Sequence, residues 1–305
     1  MYYSESERWQ EWSSLLRDAL PDVDVRLLDD PGPAGDVDMA LVWRPPAGAL
    51  RRFPNLRVIF SLGAGVDGIL SDATLPDVPL VRLIDAELTR GMTEYVLAAV
   101  LRHHRHFDVY GRQQAEGVWR FHRPPLRSAC RVGILGLGEL GRDAALVLRD
   151  FGFAVAGWSR GAKDLPGIAC YDGADGLGAF LARTDILVCL LPLTPGTAGI
   201  LDKTLFAALP EGAAVINVAR GGHLVDGDLI AALDEGHLSG ATLDVFHEEP
   251  LPEAHPFWRH PKILITPHAA SYTVPQSAVA HIAANIRRLR AGEPLVGVVD
   301  RERGY

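Results

Sequence analysis

The chain is 305 residues long, with 48% hydrophobic and 22% charged residues and a formal net charge of −8. These are globular proportions at a length that suggests two domains, so long disorder is excluded, and the acidic balance argues against a nucleic-acid surface, which wants a basic face. Cys130, Cys170 and Cys189 are too few and scattered for a disulfide framework or a zinc site, no apolar run reaches membrane-spanning length, and Met1-Tyr2-Tyr3-Ser4-Glu5 lacks the basic and apolar pair of a secretory signal, so the cytoplasm is the expected compartment.

Taken in order, Trp9 through Leu20 reads as an amphipathic stretch closed by Pro21, and Asp24 to Leu28 alternates into a first strand. Met39 to Trp43 is a second, buried strand ended by Arg44-Pro45-Pro46, and Leu56 to Ser61 is a third. The third runs into Leu62-Gly63-Ala64-Gly65-Val66-Asp67, a glycine turn whose backbone N–H groups suit a small anion nest, with a carboxylate as guest. From Thr93 a helical pattern carries Val96, Leu97, Val100, Leu101 and His104, a plausible connector between domains. His103, His104 and His106 have no acidic or thiolate companions nearby, so no metal site is expected. Residues 110–128, with Trp119, Phe121, Pro124 and Pro125, read as an extended loop whose aromatics suit either a subunit contact or core packing.

The chain is organised around residues 131–160. Val132 to Leu135 breaks into Gly136-Leu137-Gly138-Glu139-Leu140-Gly141, a helical pattern follows through Ala144, Ala145, Val147 and Leu148, and Phe153 to Trp158 supplies the next strand. Between a strand and a helix this glycine spacing reads as a dinucleotide loop. Gly136 permits the tight turn, Gly138 lets a pyrophosphate approach the backbone, and Gly141 lets helix and strand pack closely. An NAD site would place an Asp or Glu at the end of the second strand. Here Ser159, Arg160 and Lys163 stand there, a hydroxyl and two cations that suit the 2′-phosphate of NADP, so NADPH is the favoured cofactor, with NADH possible.

Further buried strands follow at Asp185 to Pro192, Ala213 to Gly222, Gly240 to Phe246 and Ile263 to His268, alternating with helical segments such as Asp226 to Leu233. This alternation predicts an α/β fold with doubly wound parallel sheets, whose ligands collect beyond the carboxyl ends of the strands. The helix Pro275 to Ala291, stopped by Gly292, and a strand over Val296 to Asp300 return to the first domain. The expected domains are therefore 1–93 plus 279–305 and 94–278, the smaller one built from both chain ends. The last three strands lead to Arg220, Glu249 and His268. A guanidinium can clamp a carboxylate in forked geometry and polarise a ketone. An imidazole can supply a proton near neutral pH, and a carboxylate beside it favours its charged form.

At these residues the sequence resembles the D-isomer-specific 2-hydroxyacid dehydrogenases. The matching pieces are the glycine loop 136–141, Asn217-Val218-Ala219-Arg220-Gly221, Asp244-Val245-Phe246-His247-Glu248-Glu249-Pro250 and Thr266-Pro267-His268. Within the family it looks most like the glyoxylate/hydroxypyruvate reductase A branch, through residues 41–46, 62–67, 158–160 and 299–305. The resemblance implies two Rossmann-like domains and a catalytic set of Arg220, Glu249 and His268, with Glu249 chosen over Glu248 because it directly precedes Pro250. It implies Asp244 by the nicotinamide carboxamide, with Leu191, Pro192, Thr197, Val218 and Ala219 also along the cofactor. Gly63, Ala64 and Gly65, with Leu62, would serve the substrate carboxylate, and Trp43 and Arg44 would face the substrate. Arg44 departs from the His more usual there, and an extra cation favours an acid with a second anionic group. The implied activity is an NADPH-dependent reduction of glyoxylate to glycolate and hydroxypyruvate to D-glycerate by a homodimer joined through the cofactor domains and the 110–128 segment. The alternatives are the same chemistry on another 2-keto acid and a non-catalytic dinucleotide sensor of the same fold.

Overall fold

The computed structural model describes residues 1–3 and 9–305, and the chain divides into two units, Met1–Leu88 with Tyr272–Tyr305, and Thr89–Ser271. Ser4 and Glu5, which entered the reading of the leading segment, lie outside the described residues.

The first unit holds a parallel sheet of β1 (Tyr2–Tyr3), β2 (Met39–Val42), β3 (Val58–Ser61) and β4 (Leu80–Val81), in that order. Every residue of β2 and β3 is buried, as a parallel strand covered on both faces requires. The helix α1 (Trp9–Ala19) packs on the closing helix Pro275–Ala291, tied to it by Gln276 Nε2 to Glu11 Oε1 at 3.0 Å, while Arg290 pairs with Asp22 just beyond α1 at 2.7 Å. Gly292, at φ 71°, ends that helix in the left-handed conformation that glycine adopts without a Cβ penalty. A short helix, α2 (Asp67–Leu70), follows the glycine turn.

Two expected strands shrink to single bridges. In place of a strand over Asp24 to Leu28, Leu27 alone pairs with Tyr2, on the edge of β1 away from β2. This keeps the reversal of a doubly wound sheet but gives the first strand to Tyr2–Tyr3, which was too short to show a period. The return over Val296 to Asp300 is likewise one antiparallel bridge, Val298 to Val81.

The connector helix α3 (Ala86–His104) begins seven residues before the expected Thr93, because Asp85 Oδ2 accepts from the Leu88 N–H at 2.9 Å and so caps it. The 110–128 segment is not wholly a loop: its start lies in α4 (Phe107–Glu116), which Gly117 ends at φ 66°. Beyond it Trp119 and Phe121 are 103% and 77% exposed, so they take no part in a core within the chain. His103, at the end of α3, is buried and shares a 3.0 Å hydrogen bond with Thr242 Oγ1, and burial pushes its imidazole down to about 4.

The second unit carries seven parallel strands: β5 (Arg131–Leu135), β6 (Ala154–Ser159), β7 (Ala169–Asp172), β8 (Ile186–Cys189), β9 (Ala213–Asn217), β10 (Leu238–Leu243) and β11 (Ile263–Ile265). They are ordered β11-β10-β9-β8-β5-β6-β7, and the helices between them include α5 (Glu139–Asp150), α6 (Gly173–Leu181), α7 (Lys203–Ala208) and α8 (Asp226–Asp234). The strand order reverses between β5 and β8, which makes the edge beyond them the switch point of a doubly wound sheet. Side chains alternate between two cores: Val132, Ile134, Ile186, Val188, Ala214 and Ile216 enter one, while Leu135, Leu187, Cys189, Ala213 and Val215 enter the other. This double burial is why the strands read as unbroken apolar runs. Trp158, Leu135, Cys189, Asn217, Leu243 and Ile265 are successive partners in one row across the sheet. Gly136, Gly138, Ser159, Arg160, Leu191, Pro192, Val218, Ala219, Arg220, Asp244 and His268 follow that row within three positions and so leave from the same carboxyl edge.

Candidate active site

Three neighbouring strands, β9, β10 and β11, deliver Arg220, Glu249 and His268 to that edge. Glu249 Oε2 lies 2.8 Å from His268 Nδ1, and its other oxygen, Oε1, accepts from the Phe246 N–H at 3.0 Å. The carboxylate is thus oriented by the backbone at the end of β10 and in turn orients the imidazole. Glu248 is exposed, whereas Glu249 is half-buried, so the structure separates two acids that adjoin in sequence. Arg220 is half-buried, with Nη1 donating to Ala219 O at 2.6 Å. Its own carbonyl accepts from Asn217 Nδ2 at 3.0 Å. Gly221 is needed behind it: a Cβ there would stand 1.9 Å from the Phe246 carbonyl carbon.

His268 has φ 51°, a left-handed conformation that an L residue holds only when its surroundings enforce it. Asp244 supplies the enforcement. Its backbone oxygen accepts from the His268 N–H at 2.8 Å, and its buried carboxylate accepts from Thr266 Oγ1 at 2.6 Å, Ala269 N at 2.8 Å and Ala270 N at 2.9 Å. Tyr95 on α3 completes the chain, its hydroxyl 2.5 Å from Thr266 Oγ1. Because the Thr266 hydroxyl donates its one proton to Asp244, Tyr95 is the donor in its own pair with Thr266. Asn217 and Thr266 stood in the quoted motifs without a role, and Tyr95 carried no signal beyond its place at the start of the helical pattern. The polar Asn217 at the end of an apolar run was the one cue in the sequence, and the structure buries it fully.

The glycine loop fits a dinucleotide on local geometry. Gly136 lies at φ 104°, and a Cβ there would be 2.7 Å from Leu190 O. A Cβ on Gly141 would fall 1.8 Å from Gly136 O, so only glycine lets α5 approach β5. Gly138 differs: it is exposed, a Cβ on it would meet nothing within 4 Å, and no side chain caps α5 there. The open backbone at a helix N-terminus is the cradle a pyrophosphate needs. Glu139 and Leu140 open α5, exposed and half-buried, while Leu137 packs in the core against Gly157. Ser159 donates its hydroxyl proton to Gly161 O at 2.7 Å, which leaves Arg160 and Lys163, both exposed, as the cations of that edge. Leu191, Val218 and Ala219 are buried, and Thr197 Oγ1 donates to Pro192 O at 2.6 Å, fixing that loop.

In the first unit, β2 and β3 end side by side, since Val42 pairs with Ser61. Trp43 therefore lies against Gly63, where a Cβ would be 2.3 Å from its ring, and the Arg44 guanidinium sits 5.7 Å from the Trp43 ring centre. Arg44 has φ 45° and packs on Gly68. The glycine turn departs from expectation in two places. The Gly63 N–H donates to Ser61 Oγ at 3.2 Å, so the donors left for a carboxylate are those of Ala64 and Gly65. Leu62 is buried, with its carbonyl accepting from Thr273 Oγ1 at 2.6 Å and its N–H donating to Val42 O at 3.0 Å, so both of its backbone groups are engaged within the unit.

Residues 97–270 match the family model described as D-isomer specific 2-hydroxyacid dehydrogenase, NAD binding domain. A glyoxylate/hydroxypyruvate reductase A from Serratia proteamaculans is 48% identical, covering 100% of this chain and 99% of its own, and one from Yersinia enterocolitica is 45% identical over the same shares. Among solved structures, a D-isomer specific 2-hydroxyacid dehydrogenase from Xanthobacter autotrophicus Py2 in complex with NADPH and MES superposes with a TM-score of 0.96 at 46% identity, covering 100% of this chain and 98% of that one. An NADPH-dependent glyoxylate/hydroxypyruvate reductase from Sinorhizobium meliloti, in complex with NADP and sulfate, gives 0.91 at 42% identity over 97% and 96%.

Proposed function

The chain belongs to the D-isomer-specific 2-hydroxyacid dehydrogenases, an NAD(P)-dependent enzyme family, and from that premise we propose that it is an NADPH-preferring reductase taking glyoxylate to glycolate and hydroxypyruvate to D-glycerate. The observation that carries the reading is the 2.8 Å contact between Glu249 and His268 on the same sheet edge as Arg220. The nicotinamide supplies hydride when bound, and the protein supplies everything else. Arg220 takes the substrate carboxylate and ketone oxygen through its forked donors. With Nδ1 engaged by Glu249, His268 protonates the developing alkoxide from Nε2, and the carboxylate balances the charge of the loaded imidazolium. Within the first unit, the Ala64 and Gly65 N–H groups suit an anionic group, and Trp43 and Arg44 bound the same turn, where a second anionic group on an acid would meet a cation.

The cofactor preference rests on Ser159 in place of an acidic residue with Arg160 and Lys163 beyond it, and on relatives solved with NADPH or NADP. The partner is a second copy of the chain, met through the exposed Trp119, Phe121 and Leu126 of the 110–128 segment. No helix among the described residues is long and apolar enough to cross a membrane.

The test is absorbance at the nicotinamide band with glyoxylate or hydroxypyruvate and either NADPH or NADH. Oxidation should be faster with NADPH. His268→Ala should lose on the order of 10²–10⁴-fold in turnover while keeping NADPH binding. Retained turnover in that variant removes His268 from the mechanism, and silence of the parent protein with both acids overturns the substrate assignment.

A further inference from the structure

His223 is 0% exposed and has no part in the chemistry above, yet both of its ring nitrogens face functional backbone. Nδ1 lies 3.1 Å from the carbonyl oxygen of Arg220, and Nε2 lies 3.2 Å from that of Pro192. The ring therefore spans the gap between the arginine turn and the loop that follows β8. Each carbonyl also accepts from other donors: Asn217 Nδ2 and the His223 backbone N–H on Arg220 O, and Thr197 Oγ1 on Pro192 O. The two backbones are also laced together. Gly199 N–H donates to Gly222 O at 2.9 Å, Leu201 N–H to His223 O at 2.8 Å, and Val225 N–H to Leu201 O at 3.0 Å.

We propose that His223 is a positioning residue that fastens the Arg220 turn to the Pro192–Thr197 loop, so that order in the cofactor loop is passed to the guanidinium that receives the 2-keto acid. The inference rests on the functional reading of Arg220 and of that loop given above. Its physical basis is reach: the rigid ring sets one nitrogen at each carbonyl, a neutral imidazole donating its single N–H to one of them and a protonated one donating to both. Cofactor and substrate then bind with positive coupling, because the first ligand to order the loop removes part of the ordering cost of the second.

The experiment is a binding cycle on the full-length protein, with NADPH followed by its fluorescence and oxamate as an unreactive isostere of a 2-keto acid. In the parent protein NADPH should tighten oxamate fivefold or more, within the usual range of coupling between sites. In His223→Phe, which keeps a ring without nitrogens, the coupling factor should fall to about one and the KM for glyoxylate should rise about tenfold, with NADPH affinity alone changed by less than about threefold. His223→Gln keeps an amide donor but carries it on a flexible chain in place of the rigid ring. It should lose the coupling as well, and it serves if the phenylalanine variant does not fold. Coupling retained in a folded variant overturns the proposal, as does a parent enzyme that turns over glyoxylate without coupling. A parent protein that neither binds NADPH nor reduces a 2-keto acid refutes the functional reading instead, so the two failures are distinct.

Discussion

Gly138→Ala separates the cofactor site from the fold. Gly138 has φ −76° and ψ −165°, an extended conformation open to alanine, and the added methyl would meet nothing within 4 Å. Removing a glycine from such a position stabilises by roughly 0.4–1 kcal/mol through the unfolded chain, or about 1–4 °C in a unit of this size. The same methyl would occupy the space through which a pyrophosphate oxygen approaches the backbone donors of the helix start. Losing one hydrogen bond to a charged group costs about 1.5–3 kcal/mol, a roughly 10- to 150-fold weaker NADPH complex. The expected outcome is a melting temperature equal to or above that of the parent, with NADPH affinity reduced by at least tenfold in fluorescence titration. Unchanged affinity in the well-folded variant would refute the placement of the pyrophosphate at this loop.

Arg160→Ala should weaken NADPH far more than NADH in parallel titrations, and equal loss for both would mean that Arg160 does not read the 2′-phosphate. Gly221→Ala forces a methyl to within 1.9 Å of the Phe246 backbone, whereas Gly222→Ala meets only the flexible end of Leu193 at 3.0 Å. The first should cost about 1–3 kcal/mol of stability and on the order of 10²-fold in kcat/KM, because it parts the Arg220 turn from the segment that aims Glu249. The second should cost much less in both denaturation and rate assays, and similar losses in the pair would contradict the geometry. His103 is neutral when folded, its imidazole depressed to about 4 by burial. Below the ordinary pKa of about 6.5 the unfolded chain takes a proton that the folded chain refuses. Stability should therefore fall as pH drops from about 6.5 to 4, by up to about 3 kcal/mol from this group. His103→Gln should flatten that part of a denaturation-against-pH curve, and parallel curves would exclude the effect.

Much of the second unit was legible because its strands are buried on both faces and so announce themselves as apolar runs, each followed by the polar or glycine-rich residues that leave its carboxyl end. Arg220, Glu249 and His268 could be named for that reason. The choice of Glu249 over Glu248 rested on its place before Pro250, and it is Glu249 whose carboxylate meets Phe246 N and His268 Nδ1 in the structure. The first unit was less legible, since a two-residue strand at Tyr2–Tyr3 and single bridges at Leu27 and Val298 have no period to detect.

By itself the sequence determined the class of fold, the glycine loop, the three polar strand ends and the cations that stand where an NAD site would carry an acid. These are properties of local pattern, of side-chain period and of which residues lack a Cβ. Tertiary structure alone decided which donors remain for a ligand and what holds the candidate groups in place. Gly63 N–H is consumed by Ser61, Asp244 gathers Thr266, Ala269 and Ala270 to hold His268 at positive φ, and His223 reaches two carbonyls 31 and three positions away in the chain. Hydrogen bonds depend on distance and angle between atoms brought together by sheet register, and no spacing along a chain encodes them.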